Sequence, residues 1–268
     1  MERPSWAPGN IDLDRPSVAR VYDYYLGGSH NFAADRALGQ RVVDAFPLLP
    51  MILQENRAFL RRAVRFCVQS GVRQFLDIGS GIPTVGNVHE VAQEADAGAR
   101  IVYADIDPVA VAHSRVLLEG NDLATVVQAD VREPEELLAH PQVTGTLDFD
   151  QPIAVLLVSL LHFFPDDDEV RAIIAALRTP LASGSMLAIS HASGDFLPEN
   201  GRQAAEHYAR AGMPIRFRSK DEIAALFEGF ELVEPGVALF SLWRPDSPDD
   251  VIEDPQRLSA YAAVGRAP

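Results

Sequence analysis

The sequence predicts an α/β fold with a mostly parallel sheet covered by helices on both faces. Three observations lead there. Short apolar segments alternate with helical periodicities from residue 74 onward. The central segments, 153–159 above all, are apolar at consecutive positions, as strands buried on two faces are. The first three apolar segments each run into a turn carrying glycine or aspartate.

Composition sets the limits. The chain has 268 residues, 47% of them hydrophobic, which allows one ordinary domain with an added segment and a sizeable core. Its single cysteine, Cys67, excludes a disulfide framework within the chain and fits a reducing compartment. The start MERPSWAPGN has no apolar run behind a basic segment, so no signal peptide is expected. The apolar run 152–164 is too short to span a bilayer. A cytoplasmic location is expected. Basic residues number 23 against 38 acidic, a net charge of −15, which disfavours a nucleic-acid partner. Arg57, Arg61, Arg62 and Arg65 form a basic cluster at helical spacing, expected as a solvated helix face.

The elements follow in order. Residues 1–15 are Pro-rich and polar, a loose arm. Ser17 can cap a helix carrying Val18, Val21, Tyr22 and Tyr25 on one stripe, ended by Gly27 and Gly28. Helices are expected over 34–45, stopped before Pro47, and over 50–70, with Gly71 beyond. Residues 1–70 therefore form a helical arm and lid segment, 71–245 the core and 246–268 a C-terminal tail. Strands are expected at 74–78, 100–104, 125–129, 153–159 and 185–190. Helices are expected at 84–96, 108–118, 168–178, 199–211 and 220–227. Asp166 and Glu169 have capping-box spacing before the third of these. Segments 230–235 and 237–243, joined by little more than Gly236, suggest an antiparallel pair.

The chemistry gathers at the carboxyl ends of the first three strands, where open α/β sheets bind ligands. Asp77-Ile78-Gly79-Ser80-Gly81 ends the first, Asp105 the second and Asp130 the third. Glycines let a backbone approach a ligand closely. A carboxylate at the second strand end can accept from ribose hydroxyls, and one at the third from an adenine amino group. Asp105 and Asp130, about 25 residues apart and one per strand–helix unit, read as an adenosine site. Thr84 stands where a dinucleotide fingerprint needs its third glycine, and no G-x-x-x-x-G-K-S/T loop is present. S-adenosylmethionine carries no phosphate and needs only the glycine turn and the acids. The seven histidines show no metal-ligand spacing, so no metal is expected. Asp107 either joins the site or caps the helix behind Pro108.

The runs FLDIGSGIPT, IVYADIDPVAVAHSR, QADVRE and LLVSLLHFFPDD resemble the motifs of class I S-adenosylmethionine-dependent methyltransferases. With RVYDYYLGGSHNFAADR, ISHAS and ELVEPGV, the chain more closely resembles an actinobacterial S-adenosyl methyltransferase family, formerly a domain of unknown function, from about Arg15 to Trp243. The resemblance implies a Rossmann-like class I fold: a seven-stranded, mostly parallel sheet whose last strand is antiparallel, plus an N-terminal helical lid. It implies that Gly79, Ser80 and Gly81 lie along the methionine part of the cofactor. Asp105 would bind the ribose, Ile106 would pack on the adenine, Asp130 and Val131 would bracket its edge, and Ser159 would face the cofactor. His30 stands where the family's glycine motif is expected to be acidic.

The rest of the site is read from position. YDYYLGGSHN is expected to fold over the cofactor, with Tyr22 holding the sulfonium by cation–π contact. Tyr25 belongs either to that lid or to a packed stripe. His162, after the fourth strand, and His191, after the fifth, are candidates for direct chemistry or for structural roles. Tyr25, Asn31 and Arg57 are substrate candidates, Asn31 and Arg57 for an acceptor carboxylate. The expected activity is methyl transfer to a small molecule, giving S-adenosylhomocysteine. Weighed against it are a non-catalytic S-adenosylmethionine sensor, an aminopropyl transferase, a metal-dependent sugar transferase and a nicotinamide dehydrogenase.

Overall fold

The computed structural model of the protein describes residues 11–268 apart from Val85. Residues 1–10, most of the expected arm, and Val85, within the expected helix 84–96, lie outside the described residues. Three helices open the chain: α1 (Val18–Tyr25), α2 (Ala33–Ala45) and α3 (Leu49–Gln69). Strands and helices then alternate as β1 (Gln74–Ile78), α4 (Val88–Ala95), β2 (Arg100–Asp105), α5 (Pro108–Leu117) and β3 (Ala124–Gln128). Two short helices, α6 (Pro134–Ala139) and α7 (Pro141–Thr146), lead to β4 (Ala154–Val158), α8 (Asp167–Arg178) and β5 (Met186–Ala192). The chain ends with α9 (Glu199–Arg210), α10 (Lys220–Ala225), β6 (Glu231–Leu232), β7 (Ala238–Leu239) and β8 (Ala260–Arg266).

The sheet order is β3-β2-β1-β4-β5-β8-β6, with β7 also paired to β8. Strands β1 to β5 are mutually parallel, and β8 runs antiparallel to its neighbours. The order reverses direction between β1 and β4, so the crevice outside their carboxyl ends is the place for a ligand. Successive residues feed opposite cores. Phe75, Ile101 and Leu156 join one cluster with α1 to α4, and Leu76, Val102 and Val155 join another with α6, α8 and α10. Two buried faces explain the unbroken apolar runs.

Four expectations change. The tail contributes β8, which pairs along its whole length with β5, from Met186↔Arg266 to Ala192↔Ala260. Residues 230–243 form no antiparallel pair. Glu231–Leu232 and Ala238–Leu239 instead lie one after the other along β8, pairing Gly265–Arg266 and Tyr261–Ala262. The seventh sheet position, at the edge beyond β8, is thus one broken strand, which makes eight strands of an expected seven. The arginine cluster is also not wholly a solvated face. Arg62 is buried, and its guanidinium donates to the carbonyls of Trp243 (2.9 Å) and Phe240 (2.7 Å). The helix expected at 84–96 begins at Val88, because Asn87 takes the cap position and Glu90 Oε2 accepts its N–H at 2.8 Å.

Gly265 measures how tightly the last strand is held. A side chain there would start 2.8 Å from Phe230 Cβ and 2.8 Å from the Phe227 ring. Gly265→Val should therefore cost about 2 kcal/mol by overpacking, read from the urea midpoint at unchanged slope. An unchanged midpoint would contradict the docking of this segment as a sheet strand.

Candidate active site

The first strand ends in the turn Gly79-Ser80-Gly81. Both glycines have positive φ, +69° and +68°, a region costly for other residues. They differ in surroundings. A side chain on Gly79 would begin 2.6 Å from Leu160 Cδ1, whereas nothing lies within 4 Å of one on Gly81. Gly79 is filled from the β4 side, and Gly81 borders open space.

Asp105 at the end of β2 fixes that turn. Its Oδ2 accepts the Gly81 N–H at 2.7 Å, and its Oδ1 accepts the Asp107 N–H at 2.8 Å. Asp107 caps α5 through Oδ1, which accepts the Val109 N–H at 2.7 Å. Its Oδ2 accepts from the Ser17 hydroxyl and lies 3.4 Å from Arg20 Nε. Ser17 holds the expected cap position of α1, yet its hydroxyl serves Asp107 rather than its own helix. Arg20 also lies 3.6 Å from Asp35, whose Oδ1 accepts the Ser17 N–H. The first helices are thus joined to the mouth of the sheet by a buried ionic cluster.

A second buried network reaches the lid from β4 and β5. Ser159 has φ +55°, left-handed for a non-glycine residue. Its N–H donates to Ser190 Oγ at 2.9 Å, Ser190 Oγ donates to Asn56 Oδ1 at 2.6 Å, and Asn56 Nδ2 donates to the Tyr22 hydroxyl at 3.0 Å. Asn56 and Ser190 were not among the expected site residues. No local pattern marks them, because their partners come from distant elements.

These elements enclose a cavity of about 530 Å³. It brings together Tyr22, Arg57, Gly79, Ser80, Gly81, Asp105, Ile106, Asp130, Val131 and Ser159. Ile106 is 55% exposed, an apolar side chain uncovered on the rim. Asp130 is engaged by Arg132, whose Nε lies 2.9 Å from each of its carboxylate oxygens. Asp77 also lines the cavity and had no assigned role. Burial pushes its carboxyl up to about 7, with the Asp105 charge adding to the rise and Arg57 opposing it. Burial likewise raises Asp105 to about 6 against the pull of its backbone donors.

Four expected residues lie off this cavity. Asn31 is buried in the turn after α1, donating to Asp23 at 2.8 Å and to the Gly28 carbonyl at 2.9 Å, so it is structural rather than free for an acceptor carboxylate. Tyr25 is buried and accepts from the Tyr208 hydroxyl at 2.9 Å. His191 lies 2.7 Å from the Ala192 carbonyl through Nδ1 and 2.8 Å from Arg218 Nη1 through Nε2. The carbonyl needs a proton from Nδ1, and the guanidinium needs a lone pair on Nε2. The ring is therefore neutral with its basic nitrogen occupied. Burial lowers it to about 3, which corrects the expectation of a base there. His162 is buried beside it, with ring centroids 5.5 Å apart. Arg218, which no sequence pattern singled out, also holds Asp167 (2.6 Å) and the Leu161 and Phe164 carbonyls. His30, the departure from the family motif, lies against His113, with ring centroids 3.7 Å apart and the planes tilted by 48°.

The profile of the S-adenosyl methyltransferase family matches residues 4–268. The chain belongs to this family. S-adenosylmethionine is the cofactor of this methyltransferase. Two solved structures cover nearly all of it. A Thermobifida fusca protein crystallised as a candidate methyltransferase is 42% identical, with 98% of this chain and 99% of that one covered and a TM-score of 0.91. A DUF574 family protein from Streptomyces avermitilis is 37% identical, with 97% and 100% covered and a TM-score of 0.92. A Bordetella parapertussis protein at 16% identity, covering 95% of this chain and 80% of that one with a TM-score of 0.58, shares the fold alone. No curated protein matches the sequence.

The cavity of the methyltransferase suits its cofactor. Ser80 Oγ and Arg57 Nε are buried and find no partner in the protein. Gly81 leaves open space beside the turn, and Ile106 offers an uncovered apolar surface. Among the described residues, no three His, Cys, Asp or Glu side chains group as metal ligands, and no helix is long and apolar enough to cross a membrane.

The buried carboxyl of Asp77 makes a signed prediction. In the folded protein it holds its proton to about pH 7, and in the unfolded chain only to about pH 4. Its protonation therefore favours folding at low pH, and that contribution is lost as pH rises through 7. Asp77→Asn should raise the Tm relative to wild type, by more at pH 8 than at pH 5. An equal difference at both pH values would contradict the burial argument.

Proposed function

We propose that the protein transfers the methyl group of S-adenosylmethionine to a small-molecule acceptor. The single observation that carries this reading is the cavity itself. It sits over the carboxyl ends of β1 to β4 and is lined by the glycine turn of β1 with one carboxylate each from β2 and β3. When bound, the cofactor supplies a methyl group activated by its sulfonium.

The chain's own residues divide the remaining work. Asp105 holds the two loops with one oxygen each, and its remaining lone-pair capacity serves the ribose hydroxyls. Ile106 and Val131 cover the adenine, with Asp130 at its amino edge, shared with Arg132. Asp77 takes the ammonium of the methionine end. Arg57, first expected to serve an acceptor carboxylate, serves the cofactor's own carboxylate from beside the same turn. The Tyr22 hydroxyl is held by Asn56, so the ring is left for the sulfonium, a contact worth about 0.5–2 kcal/mol. With His191 held neutral and occupied, rate enhancement comes mainly from positioning, which can supply up to roughly 7–11 kcal/mol.

Calorimetric titration with S-adenosylmethionine tests the assignment. Saturable 1:1 binding is expected, weakened about tenfold or more by Asp105→Ala, a loss of at least about 1.4 kcal/mol. Unchanged affinity in a folded Asp105→Ala variant would mean that the adenosine lies elsewhere.

A further inference from the structure

A second chamber of about 110 Å³ adjoins the first. The two share Val18, Tyr22, Ser159 and Phe163 as a common wall. The larger cavity covers the strand ends from β3 to β4. The smaller one stands over β4, β5 and the start of β8, where it is lined by His162, His191 and Ser259 and closed by Tyr208 of α9.

Its wall is chemically specific. Among the described residues, no Asp, Glu, Lys or Arg lines it. A carboxylate, phosphate or ammonium entering it would lose its water with no opposite charge in return. Its volume approaches the roughly 150 Å³ of an apolar cavity that holds benzene. Most polar atoms on the wall are already used. Tyr208 donates to Tyr25, Ser190 donates to Asn56, and both His191 nitrogens are engaged.

Two polar atoms are not used. His162 Nδ1 and Ser259 Oγ are buried with no hydrogen-bond partner, in residues only 8% and 3% exposed. They arise on unrelated segments, the 3-10 turn Leu161–Phe163 and the residue before β8. Ser259 also holds a left-handed φ of +46°, a strained conformation for a non-glycine residue. Unsatisfied polar groups of this kind in an apolar chamber mark a place where a partner belongs.

We propose that this chamber is the acceptor subsite, and that it takes a compact, uncharged aromatic molecule whose hydroxyl or N–H hydrogen-bonds to His162 and Ser259. Calling the ligand an acceptor rests on the methyltransferase reading, while the binding site stands on its own. Burial and the neighbouring His191 and Arg218 hold the His162 ring well below its usual range. A neutral imidazole keeps a lone pair for a ligand's proton, and it takes that proton as the acceptor's oxygen or nitrogen bonds to the methyl carbon, the carbon–sulfur bond breaks and its electron pair leaves with S-adenosylhomocysteine. His162 thus orients the acceptor, and the common wall at Tyr22 and Ser159 sets its reactive atom toward the cofactor cavity.

The test uses 4-methylphenol as probe and 4-methylbenzoate as its charged counterpart, on protein saturated with S-adenosylhomocysteine and read by saturation-transfer NMR. The phenol should bind saturably and the benzoate should not. Ala204→Phe, which fills the chamber, should abolish phenol binding. Ala205→Leu, at a half-exposed position of the same wall, is the milder variant should the first fail to fold. Ser259→Gly removes the hydroxyl and relieves the strained φ, and should weaken the phenol about tenfold. All three variants should keep wild-type affinity for S-adenosylhomocysteine by calorimetry. Equal binding of the benzoate, or phenol binding indifferent to the filled chamber, overturns the proposal. So does absence of phenol binding while S-adenosylhomocysteine binds, which leaves the methyltransferase reading intact. Phenol binding without any S-adenosylhomocysteine binding would keep the chamber as a ligand site and remove its acceptor role.

Discussion

The carboxylate of Asp105 spans the gap between the first two strand ends by accepting one backbone N–H from each side. Without it, the Gly79–Gly81 turn and the Asp107 cap would each carry an unpaired buried donor. The floor of the cavity would then lose its shape. Everything above that floor is registered to it. Asp107 holds α5 with one oxygen and the lid with the other, through Ser17 and Arg20. Arg20, Asp35 and Asp107 are all less than 10% exposed, so removing Arg20 would leave two buried carboxylates without their counter-charge, at a cost of about 3–5 kcal/mol.

A second set of bonds ties the same lid to the other half of the sheet. Ser159, Ser190, Asn56 and Tyr22 hand one hydrogen bond to the next from β4 and β5 up to α1. Tyr22 therefore stands at the boundary between the two cavities, fixed from below. The division that results is chemical as well as spatial. The side over β1 to β3 carries aspartates and arginines and suits a charged cofactor. Among the described residues, the lining of the chamber over β4, β5 and β8 carries none of either and suits a neutral guest.

The sheet through β5 and the floor of the larger cavity were legible in the sequence because both are local signals. A glycine turn and an aspartate each fall directly at a strand end, and the flanking apolar runs fix the strands. What could not be read was set by partners far along the chain. Segment AYAAVGR looks like a small-residue tail until β5 supplies its ladder. His191 looks like a base until Arg218 claims its lone pair. Ser17 looks like a helix cap until Asp107, 90 residues away, takes its hydroxyl. Arg62 looks solvated until the Phe240 and Trp243 carbonyls close over it. Helical spacing reports which residues share a face, and it is silent on what that face meets.

The central claim is that the cofactor lies across the carboxyl ends of β1 to β4, beneath α1. A crystal structure of the protein grown with S-adenosylhomocysteine tests it most directly. The account predicts the ribose on Asp105, the adenine between Ile106 and Val131, and the sulfur facing Tyr22 and Ser159 at the wall shared with the smaller chamber. An adenosine bound on any other surface, or a cavity free of it at saturating concentration, would contradict the account.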